Sequence, residues 1–107
     1  MRLPPGLAAA ATPRILELLG PPPGRVLELG FAGVHASPLR LAGFEVVVVE
    51  PDPAFRAAAR ERAGEVLAEP PAERFDAVVA PAGTDLSGIA AGRRIVLAAD
   101  GSASMEE

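Results

Sequence analysis

The chain has 107 residues, half of them hydrophobic, with a formal net charge of −4 and no Cys, Trp or Tyr. That length supports one domain. The absence of cysteine excludes disulfides, thiolate nucleophiles and cysteine metal sites, and the scattered arginines form no basic stripe, which argues against a nucleic-acid surface. No apolar run approaches the roughly 18 residues that a membrane span needs, and residues 7–11 are too short an apolar run for a secretory signal. A cytoplasmic protein without membrane partners is the expectation.

In chain order, Thr12-Pro13 reads as an N-cap followed by proline at the first helical position. Ile15, Leu16, Leu18 and Leu19 give that helix an apolar face before Gly20 stops it. Pro21-Pro22-Pro23-Gly24 is a stiff turn. Arg25–Leu29 reads as a strand ended by Gly30, and Ser37-Pro38 starts a short helix that finishes at Gly43. Glu45–Val49 is a second strand with four consecutive valines. Its continuous apolarity fits a strand covered on both faces, as in a parallel sheet.

Residues 53–62 then read as a helix closed by Gly64, residues 65–68 as a short third strand and residues 75–80 as a fourth. Residues 85–90 suit about one helical turn, residues 94–98 a fifth strand, and the polar tail 100–107 is expected to fray. Strands alternating with helices predict βαβ units and a mainly parallel sheet with helices on both faces. The whole chain, 1–107, reads as one α/β domain with its core at about 13–99.

The informative segment is Val26-Leu27-Glu28-Leu29-Gly30-Phe31-Ala32-Gly33, a strand running through a glycine turn into a helix. Such a turn presents backbone N–H groups to a ligand, and glycine admits φ > 0 and close approach. The second strand ends in Val49-Glu50-Pro51-Asp52. A carboxylate about twenty positions after a glycine turn, at a strand's carboxyl end, suits the two O–H donors of a ribose. Each feature has a plainer alternative. Gly30 and Gly33 also suit a tight turn without ligand, Glu28 a cap on loop N–H groups, Glu50 a solvated strand end, and Glu69 an ordinary loop acid. His35, the only histidine, reads as a surface or helix-start residue in preference to a general base. Asp76 reads as structural, and Arg56, Arg60, Arg62, Glu61 and Glu65 as a solvated helix face. No His or carboxylate spacing suits a metal. The dinucleotide pattern Gly-x-Gly-x-x-Gly is broken by Ala32 and His35, which counts against NAD(P) and FAD.

On these residues the chain resembles the class I S-adenosylmethionine (SAM) dependent methyltransferases. Glu28-Leu29-Gly30 matches the acidic strand end and first glycine of that family's Gly-x-Gly-x-Gly loop; Glu50 matches its second acidic strand end. Ala32 and Val34 stand where the second and third glycines belong. The resemblance spans about residues 24–99. It implies a Rossmann-like sheet of about five strands in the order 3-2-1-4-5, without the family's last two strands. It also implies a SAM-binding set of Glu28, Gly30, Phe31, Ala32, Gly33, Glu50, Pro51, Glu69, Ala80 and Pro81. Within it Glu69 lies near the adenine, and Ala80 and Pro81 lie beside the methionine part. It assigns no catalytic residue, and leaves little chain to enclose a methyl acceptor. A homo-oligomer or a second protein subunit is the partner it suggests. The alternative is a non-catalytic remnant of the fold, serving as a dimerisation or interaction module that pairs through the fifth strand.

Overall fold

A computed structural model describes residues 4–63 and 65–106. The expected helix stop at Gly64 and the extreme termini lie outside the described residues. The elements run α1 (Pro5–Ala10), α2 (Thr12–Leu19), β1 (Arg25–Leu29), α3 (Ala36–Leu41), β2 (Glu45–Val49), α4 (Pro53–Ala63), β3 (Val66–Leu67), β4 (Arg74–Pro81), β5 (Ala90–Leu97) and β6 (Ala103–Glu106). Six strands form one sheet in the order β3-β2-β1-β4-β5-β6. The first five pair in parallel and β6 pairs antiparallel to β5.

The sixth strand corrects the five-strand expectation and the frayed tail. Asp100 reverses the chain by accepting bonds from both the N–H and the hydroxyl of Ser102. Gly101 supplies a positive φ of 85° at the same turn. The returning strand sets Met105 opposite Ile95 and Ala103 opposite Leu97. The sheet edge expected at Ile95-Val96-Leu97 is therefore occupied by the chain itself, and β6 becomes the edge. Polarity of the tail hid it, because an edge strand is solvated on most sides.

Alternation along the strands splits the core in two. Val26, Val46, Val48, Ala77, Val79 and Ile95 pack in one cluster with residues from all four helices, including Ile15, Leu39 and Ala59. Leu27, Leu29, Val47, Val49, Val78 and Ala80 point into a second cluster, which contains Leu86 and packs against Ile89. Among the described residues no helix contributes to that second cluster, which corrects the expectation of helices on both faces. Crossover handedness explains the asymmetry. The steps β1→β2 and β2→β3 move one way through α3 and α4, so right-handed connections put both helices on one face. The steps β3→β4 and β4→β5 move the other way and belong to the opposite face. There the chain spends only the coils 68–73 and 82–89, and the helical turn expected at 85–90 is reduced to one hydrogen-bonded turn, in which the Ile89 N–H donates to the Leu86 carbonyl.

At the amino end, α1 extends the helical layer over residues read only as a short apolar run. Thr12 lies within α2, preceded by Ala11 without a side-chain cap; the proline at the second position is what starts this helix. The C-terminus of α2 is held from across the sheet, where the Arg93 guanidinium donates to the carbonyls of Leu18 and Leu19, placing a cation at the negative helix end. Among the described residues, no helix is long and apolar enough to cross a membrane.

Candidate functional site

The carboxyl ends of β1, β2, β3 and β4 surround a cavity of about 390 Å³. Leu29, Gly30, Val49, Pro51, Glu69 and Pro81 line it, joined by Ala68 and Pro70 and by Thr84, Asp85 and Ile89 of the 82–89 coil. This is the point at which strand order reverses about β1. Connections leave it in opposite directions, and the parting chains open a crevice. Leu29 and Val49 face it because they belong to the second core cluster, on the face without helices. Four of the residues expected at a ligand site, Gly30, Pro51, Glu69 and Pro81, therefore meet here. The Asp85 carboxyl is held below the usual carboxylate range by hydrogen bonds from Ser87, so it is ionised at neutral pH. Thr84 is fixed by its hydroxyl, which donates to the Pro81 carbonyl at 2.7 Å.

Phe31 and Ala32 lie on the other side of Gly30, in a second cavity of about 350 Å³ with Val34, Phe55, Ala58 and Arg62. The loop between the two is strongly bent: Gly30, Ala32 and Gly33 have φ of 78°, 51° and 80°. Gly30 is required by the fold itself, since a Cβ there would lie 2.9 Å from Pro81 Cδ. Gly33 lets the loop sit on α4, with Ala59 O at 3.4 Å from the position of a Cβ. Ala32 takes the left-handed conformation without being glycine, and the Arg62 guanidinium donates to its carbonyl at 3.2 Å. Ala32→Val is expected to destabilise the fold by about 2 kcal/mol, because a β-branched residue tolerates this φ poorly. Ala32→Gly is expected to stay within about 1 kcal/mol, relief of strain offsetting lost chain stiffness. Denaturant midpoints of the two variants check the contrast.

The two carboxylates expected to touch ligand lie elsewhere. Glu28 is fully buried. By strand alternation it shares the helix-covered face with Val26, away from the 390 Å³ cavity. Its Oε2 accepts the backbone N–H of His35 at 2.8 Å and faces His35 Nδ1 at 3.0 Å. His35 Nε2 lies 2.8 Å from the carbonyl of Ala8 in α1. A carbonyl only accepts, so Nε2 is the donor of that bond. Phe31 closes the ring in edge-to-face contact at 4.8 Å. His35 stands at the start of α3, as the helix-start reading has it, but it is a buried bridge between the glycine loop and α1 and not a surface residue. Glu28 takes the plainer of its two readings, as a cap on a loop N–H. Glu50 is also fully buried, and its Oε2 accepts the N–H of Asp52 at 3.0 Å. Ala80 is buried in the second core cluster beneath the cavity.

Sequence reading missed Thr84, Asp85 and Ile89 as cavity residues, and singled out His35 without its buried partners Glu28 and Ala8. Alternation from Val26 put Glu28 on the same face as the helices; that was the available sign of a buried partner for it. Nothing local marked the 82–89 coil as a cavity wall. A further cavity of about 400 Å³ opens at the opposite, amino ends of the strands, against Pro21, Pro23, Phe44, Asp76 and Arg93. Its polar groups are engaged by the fold: Asp76 accepts the N–H of Arg25 at 2.7 Å, and Arg93 holds α2. Among the described residues, no group of three or more His, Asp or Glu side chains is placed to hold a metal ion. No protein-family model, no curated protein and no solved structure matches this chain.

Proposed function

We propose that this domain binds SAM or S-adenosylhomocysteine in the cavity at the carboxyl ends of β1 to β4. The observation that carries the reading is the cavity's position, at the reversal of strand order directly beyond the glycine turn. Its volume of about 390 Å³ lies within the range of small-molecule sites. Leu29, Val49 and Ile89 supply apolar walls for a flat heterocycle, and Glu69 and Asp85 supply acceptors for amino and hydroxyl donors. Gly30 brings bare backbone to the ligand. When bound, SAM supplies an already activated methyl group. The chain's own contribution is to hold and orient it, and no side chain is assigned as acid or base. The reading is therefore of a binding domain. Pairing of copies through the fifth strand is disfavoured, because β6 occupies that edge.

Ala68 offers a clean test, being an exposed wall of the cavity outside both core clusters. Wild-type protein is expected to bind SAM saturably in a calorimetric titration. Ala68→Trp is expected to abolish that binding by filling the cavity, with its thermal midpoint unchanged. A folded wild-type sample that takes up neither ligand at millimolar concentration overturns the proposal.

A further inference from the structure

We infer that β6 is a self-pairing edge: independently of any ligand, two copies of the domain join antiparallel along Ala103–Glu106, about a two-fold axis through Ser104, into one continuous sheet.

The edge is open. Ser104, Met105 and Glu106 are exposed, and Ala103-Ser104-Met105-Glu106 contains neither proline nor lysine, the residues that commonly guard a sheet edge. At the other end of the sheet β3 spans only Val66–Leu67, so β6 is the longer free edge.

Its hydrogen-bonding phase is fixed by the turn before it. The Ala98 N–H donates to the Ser102 carbonyl at 2.9 Å. Bonded pairs alternate along an antiparallel ladder. Ser104 opposite Val96 and Glu106 opposite Arg94 are therefore the bonded pairs, and the N–H and C=O groups of Ala103 and Met105 turn outward. A two-fold axis through Ser104 sets Ala103 of each copy opposite Met105 of the other. Every outward N–H then meets an outward carbonyl.

The side chains are self-complementary in the same register. Leu97 faces Ala103 and Ile95 faces Met105 within one copy, and Ile95, Leu97 and Ala103 belong to the helix-covered core. Across the axis each row runs Leu97, Ala103, Met105, Ile95. The rows are apolar throughout and cover Met105, which is 39% exposed in the single chain. On the opposite face Ser104 meets Ser104. Glu106 keeps Arg94 as its cross-strand neighbour and meets the neutral Ser102 of the other copy, so like charges do not stand opposite one another. A second copy thus supplies the donors, acceptors, apolar row and charge pattern that this edge requires, as an isologous contact does.

So short a strand buries less than the roughly 1,200 Å² of a stable interface, so the pairing is weak and concentration-dependent. The test is sedimentation equilibrium of the intact chain from about 10 μM to about 1 mM, the range in which weak association is populated. Wild type is expected to pass from monomer to dimer, and its Met105 amide to exchange more slowly as concentration rises. The Ser104 amide, bonded to β5, should not change. Ser104→Lys and Ser104→Glu, each alone, set like charges face to face on the axis and should weaken the dimer about fivefold. An equimolar mixture of the two should recover it. Met105→Pro should abolish it with the fold kept by circular dichroism, because the N–H it loses points away from β5. Monomer at every concentration leaves the edge to a different strand and overturns self-pairing. A dimer indifferent to all three variants forms elsewhere and overturns it too. Loss of the dimer in both Ser104 variants without recovery on mixing overturns the axis at Ser104.

Discussion

His35→Ala is expected to destabilise the fold by about 3–5 kcal/mol, the usual cost of removing one partner from a buried pair. The reason lies in what remains. Glu28 is fully buried and directs one oxygen at both the ring and the backbone N–H of His35. Among the described residues its other oxygen, Oε1, has no hydrogen-bond partner. Without the imidazole, the fully buried Glu28 carboxyl group keeps a single N–H partner, and an under-compensated buried polar group costs free energy. The carbonyl of Ala8 loses its partner as well, so α1 is loosened together with the glycine loop. A domain of this class has about 5–15 kcal/mol in total, and the variant loses a large share of it. The double variant Glu28→Leu/His35→Leu is expected to recover to within about 2 kcal/mol of wild type, because apolar replacement of a whole buried pair is often neutral. Urea unfolding with a common slope measures both. A loss below about 1 kcal/mol for His35→Ala contradicts the bridge.

Gly30→Ala is expected to cost about 2–4 kcal/mol from two additive sources, backbone strain and overpacking. The residue has φ of 78°. Its Cβ would stand 2.9 Å from Pro81 Cδ and 3.0 Å from Pro81 Cγ, atoms of a ring that cannot rotate away. Gly83 separates the two sources. It has φ of 87° but nothing within 4 Å of the position of a Cβ. Gly83→Ala therefore carries the conformational cost alone, about 1 kcal/mol. Denaturation midpoints for both variants give the difference directly. Equal losses would mean that the approach of β1 to β4 is looser than the Gly30–Pro81 contact indicates.

Much of the parallel core was legible because its signals are local. Arg25–Leu29 and Glu45–Val49 coincide with β1 and β2, since a short, mainly apolar run between glycine or proline turns, valine-rich in β2, favours a strand over a helix. The fourth strand was found but cut short, β4 running from Arg74 to Pro81. The fifth was found four residues late: β5 begins at Ala90, where Ala90-Ala91-Gly92-Arg93 carries no strand preference and is recruited by pairing with β4. The sixth strand was hidden by its polarity. Helix α1 was hidden by its size: six residues do not hold a helix alone, and this one is held by tertiary contacts, among them the bond from His35 to Ala8. The candidate site divided along similar lines. Gly30, Pro51, Glu69 and Pro81 converge because strand order places the strand ends side by side. Glu28 and Glu50 do not join them. Sequence spacing fixes where a carboxylate falls along a strand, and only tertiary packing decides what its side chain meets.

The measurement that tests the central claim most directly is mapping of amide chemical shifts by NMR during titration with SAM. The proposed binding of SAM predicts saturable changes at Gly30, Ala68, Glu69 and Thr84, around the cavity at the carboxyl strand ends. Gly24 and Gly92, at the opposite cavity, should stay fixed. Shifts confined to Gly24 and Gly92, or a spectrum of folded protein that does not respond, would contradict it.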